Sequence, residues 1–155
     1  MNRGNPNLSP RIVNRKAMHE YFIEAKIECG MVLMGSEVKS LRLGRCQLQE
    51  SFARVDGGQL YLIGCHIDPY ANALVNSHEP TRPRKLLAHK REVQRLIEHT
   101  DRDGSTLIPL AIYFKDGRAK VELGVAHGKT RHDKRQSIKK KEHDQQMRRA
   151  TTHRQ

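Results

Sequence analysis

Nine histidines and three cysteines are the side chains that would carry acid–base, metal or covalent chemistry in this chain, and their spacing prepares none of it. The histidines are scattered with no paired nucleophile, and no cluster of carboxylates is set out to hold divalent metal for phosphodiester cleavage. Cys29, Cys46 and Cys65 are odd in number and irregular in spacing, which argues against both a disulfide framework and a thiolate metal site. No catalytic residue, cofactor or metal is therefore expected. The chemistry on offer is electrostatic: 29 Lys+Arg against 17 Asp+Glu give a formal charge of +12 and a pI near 10.0, which calls for a polyanionic partner.

The charge is not spread evenly. Residues 1–16 carry Arg3, Arg11, Arg15 and Lys16 with no acid, a net +4, whereas residues 17–128 hold 15 basic and 14 acidic side chains. Residues 129–155 hold ten basic residues against Asp133, Glu142 and Asp144, a net +7. A nearly neutral body with two cationic ends suggests termini that stay uncollapsed until a polyanion neutralises them. Solvated solubility tails are the plainer alternative. No apolar run nears the roughly 18 residues that span a bilayer. Residues 1–15 also lack the apolar stretch of a secretory signal, so a cytoplasmic protein with no membrane partner is expected.

Several groups of residues suit nucleic acid. Asn14, Arg15, Lys16, His19 and Tyr21 place two fixed charges beside an amide and two rings, as phosphate contact with base or sugar stacking requires. The alternative is an ordinary strand start with the Tyr21 ring in the core. Lys39 and Arg42, three apart, share a helix face, and Arg82, Arg84 and Lys85 form a compact cationic group after a proline-rich loop. Either set could equally be a solvated face.

The elements that must position these groups are mostly strands. Residues 21–33 read as one long strand with a bulge or bend at Gly30, and residues 35–42 as a short helix that Ser36 caps. Residues 52–55 and 60–67 flank Asp56-Gly57-Gly58, and residues 112–114 and 119–125 flank Asp116-Gly117, two hairpin signals. Residues 68–84, with Pro69, Pro80 and Pro83, read as a loop, and Val93, Leu96 and Ile97 as one face of a helix. The chain length fits one domain. The fold class expected is mainly β: a small closed OB-fold-like antiparallel barrel with flanking short helices. Three segments follow: a flexible basic terminus at 1–13, the barrel at 14–128, and a tail at 129–155. In the tail Ile138 and Met147 are the only sizeable apolar side chains, too few to dock. It is therefore expected to be disordered when free and helical when bound, since residues 137–150 hold no Gly or Pro.

Four strings carry a more specific signal: NRKAMHEYFIE (14–24), GSEVKSLR (35–42), RPRKLLAHKRE (82–92) and KVELGVAHGKTRHDKR (120–135). In order and spacing they resemble the SsrA-binding protein family over roughly residues 14–135. The resemblance implies an OB-fold barrel that grips the tRNA-like domain of transfer-messenger RNA (tmRNA, SsrA RNA). It implies that Glu28, Leu87, Lys120 and Lys129 join Asn14, Arg15, Lys16, His19, Tyr21, Lys39, Arg42, Arg84 and Lys85 on that surface. It also implies a tail whose His132 stacks on a base of small-subunit rRNA in the decoding centre. Asp133, Lys134 and Arg135 would position that tail, and Ile138, Lys139, Lys140 and Lys141 would continue it into the empty messenger channel. The implied partners are tmRNA, the ribosome and elongation factor Tu in the delivery complex, with this chain as a monomer. His127 stands where the family often has Arg or Lys. A general ribosomal or structured-RNA-binding OB protein is the main rival reading.

Overall fold

The structure is a computed structural model that describes residues 9–71, 77–129 and 131–152; the side chains of 102, 103, 131–134, 137, 151 and 152 lie outside the description. Elements run β1 (Ile12–Val13), α1 (Arg15–Glu20), β2 (Tyr21–Met31), α2 (Gly35–Arg42), β3 (Cys46–Gln47), β4 (Phe52–Asp56), β5 (Gln59–Ile63), β6 (His66–Ile67), β7 (Arg84–Leu87), α3 (Lys90–Asp103), β8 (Thr106–Lys115), β9 (Arg118–Gly128) and α4 (Arg131–Thr152).

Pairing passes from β8 through β4, β5, β7 and β2 to β9, and β9 returns to β8, so six antiparallel strands close a ring. Two tight turns set its register. Gly57 and Gly58 both take positive φ between β4 and β5, and Asp116 with Gly117 does the same between β8 and β9, the geometry whose twist matches the flanking strands. Inside the ring, Leu41, Leu60, Leu62, Ile67, Leu86, Leu107, Ile112, Val121, Leu123 and Val125 are buried and form one core. A smaller cluster of Ala17, Ile108, Leu110 and Ala126 lies beneath α1, with Tyr21 and Ile23 packed against it. At Gly124 a Cβ would stand 3.0 Å from both the Ile23 and Leu110 side chains, so glycine lets these layers approach without displacing either.

A buried ion cluster ties α2 to the barrel. Glu37 and Arg84 are both fully buried. Arg84 Nε donates to Glu37 Oε1 at 2.9 Å, and Arg82 Nε and Nη2 donate to the two carboxylate oxygens at 2.8 Å each. The Met34 backbone N–H donates to Glu37 Oε2 at 2.9 Å, which closes the first turn of α2. The rest of the Arg84 guanidinium donates to the carbonyls of Cys65 (2.6 Å) and Pro80 (2.9 Å). Burial alone would raise the Glu37 pKa, but these hydrogen bonds and the Arg84 charge outweigh it and hold the carboxyl below its ordinary 4.5.

The closed barrel, α2 at 35–42 and both hairpins agree with the sequence reading, and several local expectations change. The string from Asn14 starts a helix, not a strand: the Asn14 side chain accepts from Ala17 N at 3.2 Å and donates to Pro109 O at 3.0 Å. Chain order starts inside the segment expected to be flexible, since β1 pairs Ile12 with Ile112. The bulge in β2 falls between Ile23 and Ala25, not at Gly30. Ser36 bonds His78 instead of capping α2. The run 60–67 divides into β5 and β6, the latter in a separate two-stranded sheet with β3. Strands β8 and β9 are longer than expected, and β8 accommodates Pro109 at a register shift between Pro109 and Ala111.

Arg84→Met, which leaves Glu37 buried with Arg82 alone, should cost about 3–5 kcal/mol in urea unfolding, and the double change with Glu37→Leu should cost less. Because the folded pKa of Glu37 is depressed, its contribution is complete above 4.5 and is lost as pH falls through the folded value. The Glu37→Gln protein should therefore show a weaker loss of stability on acidification than the wild type.

Candidate nucleic-acid interface

Strand alternation decides which side of the barrel is polar. In β7, Arg84 and Leu86 are buried while Lys85 and Leu87 are exposed, so one inward arginine fixes the next outward pair. Register then lines up one row across four strands: Leu87 on β7 opposes Gly30 on β2, Gly30 opposes Lys120 on β9, and Lys120 opposes Tyr113 on β8. Gly30 supplies no side chain to this row. The result is an open groove of about 730 Å³ whose walls include Glu28, Met31, Leu33, Leu87, Arg118 and Lys120.

Its chemistry is mixed. Leu87 is 52% exposed, an apolar side chain presented to solvent beside Met31 and Leu33. Lys120 and Arg118 bring positive charge, Glu28 and Glu92 bring acids, and Lys115 Nζ lies 3.6 Å from Glu28 Oε1. The Tyr113 hydroxyl donates to Glu28 Oε2. That hydrogen bond, helped by Lys115 and Lys120, holds the Glu28 carboxyl below its usual range, while burial and the carboxylate push the Tyr113 phenol up to about 12. An apolar floor beside fixed cations suits a folded polynucleotide, whose bases and sugars meet the floor while phosphates meet the rim.

The structure thus brings together Glu28, Leu87 and Lys120, with Lys85 on the same outward side of β7. Two expected contacts are corrected. Arg84 has no exposed surface and every described donor is used internally, so it holds the fold and cannot meet RNA. Asn14 is buried, and its amide caps α1 and pins β8. Tyr21 packs against the cluster under α1, the alternative reading for that ring.

The other cations lie elsewhere. Arg15, Lys16 and His19 are exposed on α1, where Lys16 pairs with Glu50 at 2.5 Å. Lys129 lies beside the same helix, its N–H on Glu20 O and its ammonium 5.0 Å from the Phe22 ring centre. Lys39 sits 5.3 Å over Tyr70, and Arg42 4.5 Å over Phe114 with a hydrogen bond to Ser9. His127 Nε2 bonds Glu24 Oε2 at 2.8 Å, a hydrogen bond that holds the Glu24 carboxyl down. In α4, Arg135, Ile138, Lys139, Lys140 and Lys141 are exposed, while the side chains of His132, Asp133 and Lys134 fall outside the described residues.

Sequence reasoning missed Arg11, Tyr113, Lys115 and Arg118. The available signal was the Asp116-Gly117 turn: a two-residue loop sets Lys115 opposite Arg118 and Tyr113 opposite Lys120. Among the described residues no group of three or more His, Cys, Asp or Glu could hold a metal ion, and no helix is long and apolar enough to cross a membrane.

Comparison with known proteins bears on this surface. The profile of a family described as SmpB protein matches residues 11–153. The SsrA-binding protein of Desulforudis audaxviator is 54% identical over 137 residues, 88% of this chain and 90% of that one. That of Syntrophotalea carbinolica is 50% identical over 137 residues, 88% and 91% of the two chains. A solved chain described as "tmRNA-SmpB: a journey to the center of the bacterial ribosome" aligns with a TM-score of 0.67 at 44% identity, covering 83% of this chain and 94% of the other. A closed six-stranded barrel, an outward groove and identity of this extent along nearly the whole chain place it in the SmpB protein family.

Proposed function

We propose that this chain binds tmRNA and carries it to stalled ribosomes, where the pair acts in trans-translation, and that it does so by binding alone. The observation that carries this reading is the Leu87–Gly30–Lys120 row, which opens a groove that sets the exposed Leu87 beside Lys120 and Arg118 on a nearly neutral barrel. The relatives named above are SsrA-binding proteins, and one structural neighbour is described with tmRNA and the bacterial ribosome.

At finer grain, the barrel grips the tRNA-like domain through Lys85, Leu87 and Lys120, with Glu28 orienting the cations beside them. Arg15, Lys16, His19 and Lys129 around α1, and Lys39 and Arg42 on α2, add phosphate contacts at its margins. The barrel takes the volume that an anticodon stem would fill. Elongation factor Tu joins the delivery complex, and the place of work is the cytoplasm, where ribosomes translate.

The tail probes the decoding centre and the empty messenger channel. Lysines 139–141 repel one another until phosphates screen them, and all described side chains from Arg135 to Ala150 are exposed, so α4 gains little from packing. Its persistence therefore depends on what it binds, and an RNA-lined channel supplies the missing counter-charge. Peptide-bond formation belongs to the ribosome and aminoacylation to a synthetase.

Excess ordinary transfer RNA should displace tmRNA poorly in a competition assay; easy displacement would favour a general structured-RNA binder. Lys120→Ala should weaken binding and flatten the slope of log K against log salt by roughly 0.7–0.9, whereas Leu87→Ser should weaken binding and leave the slope unchanged. Truncation must fall after Lys129, because Ala126–Gly128 pair with Tyr21–Ile23. That truncated protein should keep its tmRNA affinity and lose tagging of stalled peptides; tagging at wild-type level would refute the role given to the tail.

A further inference from the structure

Tyr113 touches two charged groups at the groove without lining it and stands opposite a third. Its hydroxyl donates to Glu28, its ring carries the Arg11 guanidinium at 4.7 Å, and its backbone is in register with Lys120. Glu28 in turn faces Lys115 at 3.6 Å. Glu122, one row along, lies 3.9 Å from Arg11 and 4.0 Å from Lys26. Arg11, Lys26 and Lys115 on this face are thus each held by an acid or a ring.

A carboxylate on a phosphate-binding surface repels its ligand unless it has other work. Both Glu28 oxygens face groups of the same chain, and the phenol opposite stays protonated at neutral pH, a permanent donor. Exposed pairs of this kind add little to folding stability. What they do change is the freedom of long side chains: a lysine or arginine already held in place loses less rotamer entropy on meeting a phosphate.

We infer that Tyr113 is a positioning residue for RNA binding: through Glu28 it holds Lys115, and through its ring it seats Arg11, so that both cations stand ready beside Lys120 for neighbouring phosphates. The inference rests on the reading of this groove as the RNA site. Glu28 acts here as an internal counter-charge and does not read a base edge. The signature is therefore coupling between Tyr113 and Lys115, which a separate contact by each would not produce.

The test is a double-mutant cycle on the full chain, read as affinity for full-length tmRNA across a salt series. Tyr113→Phe keeps the ring and its seat for Arg11 and removes only the hydroxyl. It should weaken binding about 3- to 10-fold, Lys115→Ala should weaken it to a similar extent, and the double variant should bind no worse than the weaker single. Arg11→Ala should flatten the salt slope by roughly 0.7–0.9, and so should Tyr113→Leu, which removes the ring. Wild-type affinity in Tyr113→Phe, or losses that multiply in the double variant, would overturn the inference. Competition by ordinary transfer RNA against the wild type reports on the functional reading and the cycle on Tyr113, so each can fail alone.

Discussion

The interaction on which most of this architecture depends is the buried contact of Glu37 with Arg82 and Arg84. Two ionised groups with no exposed surface are costly to desolvate, and they persist because every oxygen and nitrogen involved has a partner. The contact joins α2, the carbonyls at Cys65 and Pro80, and the first residue of β7. Since β7 alternates, an inward Arg84 obliges Lys85 and Leu87 to face outward. The orientation of the groove is thereby set from inside the fold, by the fully buried Glu37–Arg84 pair.

A second constraint is the separation of charge along the chain. The body between residues 17 and 128 carries almost no net charge, so an RNA-binding surface on it would gain selectivity from placement and not from a general positive field. Pairs such as Arg11 over Tyr113 and Arg42 over Phe114 are how a nearly neutral barrel keeps its cations in set positions. The strongly basic segment after residue 128 has the opposite character: a long exposed helix with a few scattered apolar side chains and charge enough to follow a phosphate-lined path.

Legibility followed physical locality. The hairpin turns at Gly57-Gly58 and Asp116-Gly117 were readable because positive φ is a property of one or two residues, and α2 and α3 because their periodicity and breakers are local. The alternation of Arg84 with Leu86 was present in the sequence too, but a cationic string after prolines looked like surface, and only the distant Glu37 explains an arginine turned inward. Asn14 was misjudged for the same reason, since its partners at Leu48 and Pro109 are set by tertiary structure. Glu28, Leu87 and Lys120 came from family resemblance and not from pattern. Their common groove depends on a cross-strand register that no single segment encodes.

The central claim is that the groove beside Leu87 holds tmRNA in the cell. Replacing Leu87 with a photo-crosslinking amino acid in the full chain, irradiating cells and sequencing the attached RNA tests it without naming the partner in advance. The account requires tmRNA to dominate, with crosslinks gathered in its tRNA-like part. Crosslinks spread over transfer RNA and ribosomal RNA in proportion to their abundance would contradict it.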